Sequence, residues 1–215
     1  MPIVGAAIGG DPVAAGFAVS LARPGGNVTG SLMLAPELDA KGGASPPSSA
    51  DRAAYSRVGG QSNAARENFA QVGEAAHALG VELSAFYAEV SADYPAAFAA
   101  MRSAGVQGLA ILSAPDLFTN ASTLAALALE AELPTACEWR EMAEQGCLLG
   151  YGPNLAEVYG RTADYVVRIF CGAAPGDLPI EQPTHFKFAV NLKTAKALNL
   201  AIPPAILARA DDVIE

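Results

Sequence analysis

Polar and aromatic side chains stand directly behind short apolar runs, the position from which a parallel sheet presents groups to a ligand. Asp11 follows Ile3 to Ile8; Ser113, Asp116 and Phe118 follow Gly108 to Leu112; Glu138 and Trp139 follow Leu133 to Cys137; Tyr151 closes Cys147 to Tyr151. The chemistry open to such a set is recognition. A carboxylate at Asp11 or Glu138 can pair an ammonium, and the amides beside Asp11 can receive an anion. Ser113 and Asp116 offer hydrogen bonds, Phe118 an apolar wall, Trp139 a stacking surface and Tyr151 a hydroxyl. Each also has a plainer role: Asp11 as a helix cap, Ser113 to Phe118 as a turn, Glu138 as an acid favouring the next helix start. Trp139 can equally fill a surface, and Tyr151-Gly152-Pro153 can be a strand-to-helix turn.

Catalytic machinery has no signature here. The chain shows no Ser-His-Asp order, glycine-flanked nucleophile, metal-ligand spacing or Walker loop, and Gly25-Gly26 reads as a turn because a strand follows it. No catalytic residue, metal or cofactor is expected. Cys137, Cys147 and Cys171 are an odd set without paired short spacing, so they read as small buried hydrophobes rather than a disulfide framework or zinc site. His77 and His185 have no evident acidic or cysteine companion. Lys193 and Lys196 read as a solvated face. A net charge of -9 among 215 residues argues against nucleic acid, whose binders cluster Lys and Arg. Neither a membrane-length apolar run nor a signal-peptide pattern is visible, so the chain as written is expected to remain cytoplasmic.

The elements that would position these residues alternate. Asp11-Pro12 reads as an N-cap and first helical position, opening a helix to about Arg23, and Val28 to Leu34 as the next strand. Beyond it come a helix from Asn63 to Leu79, a strand from Val81 to Tyr87, a helix from Ser91 or Asp93 to Ala104, and the strand Gly108 to Leu112. A helix from Asn120 to Glu132, the strand Leu133 to Cys137, a short helix Glu138 to Glu144 and the strand Cys147 to Tyr151 complete the middle. Leu155 to Cys171 is the longest periodic helix, with Leu155, Val158, Tyr159, Thr162, Val166, Ile169 and Phe170 approximating one apolar face. Phe186 to Val190 and a helix from Leu192 to Leu198 follow. Strands separated by helices imply parallel βαβ units and a doubly wound α/β fold, with residues 64 to 150 as parallel layers.

Several segments also carry a family likeness. Asp11-Pro12-Val13, Leu21-Ala22-Arg23-Pro24-Gly25-Gly26-Asn27-Val28-Thr29-Gly30, Ala35-Pro36-Glu37-Leu38 and Tyr151-Gly152-Pro153-Asn154-Leu155 match in order. The tail adds Pro179-Ile180-Glu181-Gln182-Pro183-Thr184 and Asn191-Leu192-Lys193-Thr194-Ala195-Lys196-Ala197-Leu198. On these segments the chain resembles ABC-importer substrate-binding proteins of the tryptophan/tyrosine transport type. The resemblance implies a type I periplasmic-binding-protein fold with parallel sheets in two lobes. It places 1–30 in lobe one, 31–150 in lobe two, and 151–215 as a return to lobe one with a C-terminal tail. It further implies a small amino-acid-like or aromatic solute bound between the lobes, an ABC permease as partner, hinges at Gly30 and Gly152, and a periplasmic or membrane-anchored location for full-length members.

Two departures shape the expectations. Family members begin earlier, which implies an incomplete lobe one, self-association through an exposed sheet edge and weak or absent solute binding by this chain. Residues 42–63, rich in Gly, Pro and Ser, read as an irregular linker where the family has a helix and a strand. With permitted codons, reading one nucleotide later there can restore the family's pattern. The rival readings are a cytosolic ligand-sensing domain and an enzyme on a flavodoxin-like sheet.

Overall fold

The computed structural model describes residues 1–33, 73–74, 76–111 and 114–215. The chain divides into two compact units, Met1–Ala35 with Pro153–Phe186, and Pro36–Gly152 with Lys187–Glu215. In the first, the apolar run β1 (Ile3–Ile8) pairs in parallel with β2 (Val28–Leu32), and β2 with a later short strand, Ile180–Glu181. A long helix, Leu155–Phe170, packs on β1 and β2. Asn154 caps it, its side-chain oxygen accepting from the Ala156 amide at 3.2 Å. Ala18, Leu32 and Ile180 form the small core, flanked by Ile8 and Leu21.

The second unit carries the larger sheet. Helix α1 (Tyr94–Ser103), with Pro95 in its first turn, leads to β3 (Leu109–Ile111). Helices α2 (Pro115–Thr119) and α3 (Ala121–Glu130) precede β4 (Thr135–Cys137), and α4 (Arg140–Glu144) precedes β5 (Leu149–Pro153). In chain order the long helix is then α5, Ile180–Glu181 is β6, and β7 (Phe186–Asn191), α6 (Leu192–Ala197), α7 (Pro204–Leu207) and β8 (Asp212–Ile214) follow. The sheet order is β3-β4-β5-β7-β8, with parallel pairing at β3–β4, β4–β5 and β7–β8. Tyr94, Met101, Leu109, Ile111, Leu117, Leu124, Met142 and Val190 are fully buried in this unit. Each such side chain contributes about 1.5–3 kcal/mol by leaving water.

The alternating α/β fold with parallel sheets is as the sequence implies, and particular elements differ. Residues 12–16 make one turn, not a helix to Arg23: the Phe17 and Ala18 amides both close on the Pro12 carbonyl, and Gly16 at φ 76° leaves the helical region. Val81 to Tyr87 forms no ladder among the described residues. Around Pro115, where a turn is one of two readings, the chain forms the helix α2, which Pro at its first position favours. Helix α5 buries Val158 and Tyr165, whereas Tyr159 and Phe170, expected on its apolar face, are exposed. Residues 187–215 group with the second unit, where β7 and β8 complete the five-stranded sheet. Residues 42–63 lie outside the described residues.

Gly30, at φ 143°, faces the Gly5 backbone so closely that a Cβ would sit 2.7 Å from its nitrogen. Gly30→Ala is expected to lower stability by well over about 1 kcal/mol, and Gly9→Ala, with open space around it, to stay within about 0.5 kcal/mol, both read by urea unfolding. A polar cluster beside β6 gives a pH signature. Arg161 pairs with both Glu181 oxygens, at 2.5 and 2.6 Å, and holds that carboxyl below its usual range; burial first, then Glu181, pushes Tyr165 up to about 12. A depressed carboxyl stabilises the fold above its ordinary pKa and loses this as pH falls. A raised phenol stabilises it below about pH 10 and loses this as pH climbs toward 12. Glu181→Gln is therefore expected to weaken the protein near neutrality and to converge with wild type in acid, measured as urea midpoints against pH.

Candidate functional site

In the second unit Glu138 and Trp139 follow the end of β4, Asp116 and Phe118 lie on α2 beyond β3, and Tyr151 lies within β5. Glu138 and Trp139 leave β4 immediately beyond its last ladder residue, Cys137. They run across β5 at two glycines. A Cβ on Gly150 would lie 3.0 Å from the Trp139 carbonyl carbon, and one on Gly152 3.0 Å from that of Glu138 and 3.5 Å from its Cγ. Only glycine at both positions allows this approach. Glu138 and Trp139 are accordingly 5% and 6% exposed. The following helix is fastened at its start, where Arg140 Nε donates to Asp212 Oδ2 at 2.7 Å and Arg140 Nη2 meets Glu144 Oε1 at 2.9 Å.

Aromatic contacts join the neighbouring strands. Phe118, on α2 beyond β3, meets the Trp139 ring edge-on, centroids 6.4 Å apart at 89°. Tyr151, within β5, meets Phe188 on β7 at 6.2 Å and 74°. Asp116 is exposed in the first turn of α2; burial and then its charge raise the phenol pKa of Tyr94. Ser113 lies outside the described residues. Asp11 belongs to the first unit, where its exposed carboxylate caps its own turn, accepting from the Val13 amide at 2.8 Å and the Ala14 amide at 3.2 Å. Thus Phe118, Glu138 and Tyr151 are linked through Trp139 and Gly152, Asp116 is on the helix of Phe118, and Asp11 stands on a different unit. Gly30 and Gly152 both have a packing reason to be glycine.

The cysteine expectation is overturned. Cys137 and Cys147 form a disulfide with Cα atoms 6.4 Å apart, because the end of β4 and the approach to β5 run side by side around α4; Cys171 is free and exposed. His185 also has an acidic companion, with Nδ1 2.7 Å from Glu157 Oε2. Sequence reasoning missed the disulfide, Arg140–Asp212, and the roles of Gly150 and Phe188. Alternate glycines inside a strand, Gly150 and Gly152, were the available signal of a close backbone approach. Among the described residues no group of acidic, His or Cys side chains could hold a metal. The arrangement sets a buried carboxylate, Glu138, next in sequence to Trp139, whose ring meets Phe118 edge-on.

Comparison with known proteins places this geometry in a family. The family model described as ABC transporter substrate binding protein matches residues 55–214. No curated protein matches the chain. Among solved structures, a conserved domain protein from Vibrio cholerae O1 biovar El Tor is 26% identical with a TM-score of 0.85, covering 99% of this chain and 71% of that one. An ABC domain from Streptococcus pneumonia, in complex with L-Trp, is 23% identical with a TM-score of 0.85 over 99% of this chain and 72% of its own. A ligand-free, open substrate binding protein with adhesive properties from Clostridium difficile is 20% identical with a TM-score of 0.66, over 100% and 71%. The fold is periplasmic-binding-protein-like, and with a family match across 160 of 215 residues the chain belongs to the ABC transporter substrate-binding protein family.

Proposed function

We propose that this chain is the solute-binding component of an ABC importer, holding a small amino-acid-like or aromatic solute non-covalently and delivering it to an ABC permease. The observation that carries the reading is the placement of Glu138 and Trp139 directly beyond the end of β4 and against Gly150 and Gly152, with Phe118 meeting the Trp139 ring. Glu138 supplies the partner for an ammonium, Phe118 and Tyr151 the walls for a planar or apolar body, and Asp116 a polar rim. Trp139 backs Phe118. On the first unit Asp11 is the proposed contact, and Gly30 and Gly152 are the proposed hinge positions. Ser113 is proposed to offer a hydrogen bond. The complex with L-Trp recorded for the Streptococcus relative sets the solute class to try first. The Cys137–Cys147 bond supports an oxidising, extracytoplasmic location, and among the described residues no helix is long and apolar enough to cross a membrane.

Calorimetry of the purified chain against L-tryptophan, L-tyrosine, L-phenylalanine, L-leucine and their N-acetyl derivatives tests this. Binding of at least one free amino acid is expected, with the N-acetyl derivative weaker because it lacks the ammonium. Phe118→Ala and Tyr151→Ala are expected to weaken an aromatic solute by roughly tenfold each, the worth of about one aromatic contact. Glu138→Gln is expected to narrow the gap between a free and an N-acetylated solute. Absence of binding across the whole panel, with far-UV circular dichroism showing a folded chain, would overturn the reading.

A further inference from the structure

Helix α5 (Leu155–Phe170) has two unlike flanks. Val158 and Tyr165 are buried where the helix packs on β1 and β2. To one side of that line Arg161 reaches Glu181 on β6 and Glu157 meets His185, so this flank is the one turned toward β6. With 3.6 residues per turn, the opposite flank carries Ala156, Tyr159, Ala163, Val166 and Phe170, spaced three and four apart, and no charged residue. The sheet order β1-β2-β6 places it over β1. Among the described residues β1 pairs on one side only, with β2, and its Ile3 is exposed. An apolar helix flank and an open strand edge thus share one border of the first unit.

We infer that this border is an interface with a second copy of the chain, joined about a two-fold axis normal to the sheet with α5 antiparallel to α5 and β1 beside β1. Tyr159 and Phe170, 60% and 86% exposed, offer about 300 Å² between them at roughly 200 Å² per aromatic side chain. A stable pair needs about 800 Å² per partner, so a lone helix on this flank is held weakly. A second copy adds the strand edge to the helix flank in one contact, and the contact is closed because the same patch serves both chains. The seam is also its own complement. Antiparallel pairing centred between Asp164 and Tyr165 sets Tyr159 against Phe170 of the second copy and Ala163 against its Val166, ring on ring and small against large. Unlike ends of the helix dipoles then lie together. Because the flank carries no charged residue, two chains of net charge -9 meet there without opposing like charges.

Sedimentation velocity of the purified chain over a dilution series tests this, with far-UV circular dichroism establishing that each variant folds. A reversible species of twice the 21.9 kDa chain mass is expected. Phe170→Ser and Tyr159→Ser are each expected to raise its dissociation constant by roughly tenfold, the worth of about one aromatic contact. Val167→Ser, as exposed as Tyr159 but turned away from the sheet and off the seam, is expected to leave it unchanged. Cys171, the one thiol outside the disulfide, takes a spin label. With a rise of about 1.5 Å per residue and axes about 9 Å apart, the two labels in the antiparallel pair are expected roughly 20–30 Å apart by double electron–electron resonance. A chain monomeric at every concentration would overturn the inference and leave the border to another segment or another protein. So would aggregates in place of a dimer, or an equal loss with Val167→Ser, since both mark unspecific association. Labels within about 10 Å, the separation of parallel neighbours, would overturn it as well.

Discussion

The close approach of the Glu138–Trp139 backbone to Gly150 and Gly152 is the constraint on which the second unit's site depends. A side chain at either glycine would drive the β4 exit away from β5, and with it the buried carboxylate and the ring on which Phe118 packs. The rest of the local structure follows from keeping that crossing in register. Arg140 ties the next helix to Asp212 on β8, Asn191 and Thr194 tie the loop beyond it, and the disulfide closes the loop on itself. A loop of this size closed by a disulfide stabilises by about 3 kcal/mol through the unfolded state.

The first unit repeats the device with other residues. Gly30 lies against the Gly5 backbone, and Gly176 against Gly25 and Gly26, where the Gly25 amide donates to the Gly176 carbonyl at 3.0 Å. Tight backbone contact stands at these points beside the buried cluster of Ala18, Leu32 and Ile180 and the buried Val158, Tyr165 and Leu178. Thr29, fully buried, closes the gap by donating to the Leu178 carbonyl at 2.8 Å.

Periodicity made the regular layers legible. The apolar runs at β3, β4 and β5, the helices α1, α3 and α5, and the parallel alternation all follow from patterns of period 3.6 and short apolar runs. What escaped was set by neighbours distant in sequence. Asp11-Pro12 is a sound helix start, yet Gly16 and the double closure on the Pro12 carbonyl stop it after one turn. Helix α5 has apolar residues on more sides than it buries, so the pattern alone could not select Val158 and Tyr165 over Tyr159 and Phe170, the last 86% exposed. The disulfide was hidden because ten residues of separation say nothing about two ends that run side by side.

The candidate residues can be named from the sequence as a set and not as an arrangement. Strand ends are recognisable in sequence, so Asp116, Phe118, Glu138 and Tyr151 could be assembled from the rule that parallel sheets bind at their carboxyl edges. The partners that hold them could not: Trp139 as the backing of Phe118, Phe188 beside Tyr151, and the glycines under Glu138 depend on register between strands. A buried carboxylate at 5% exposure raises the stakes, because a charge removed from water is costly wherever its surroundings shift. The shell around Glu138 is therefore built from constraints that do not bend: absent side chains, a covalent bond, and a charged hydrogen bond between Arg140 and Asp212.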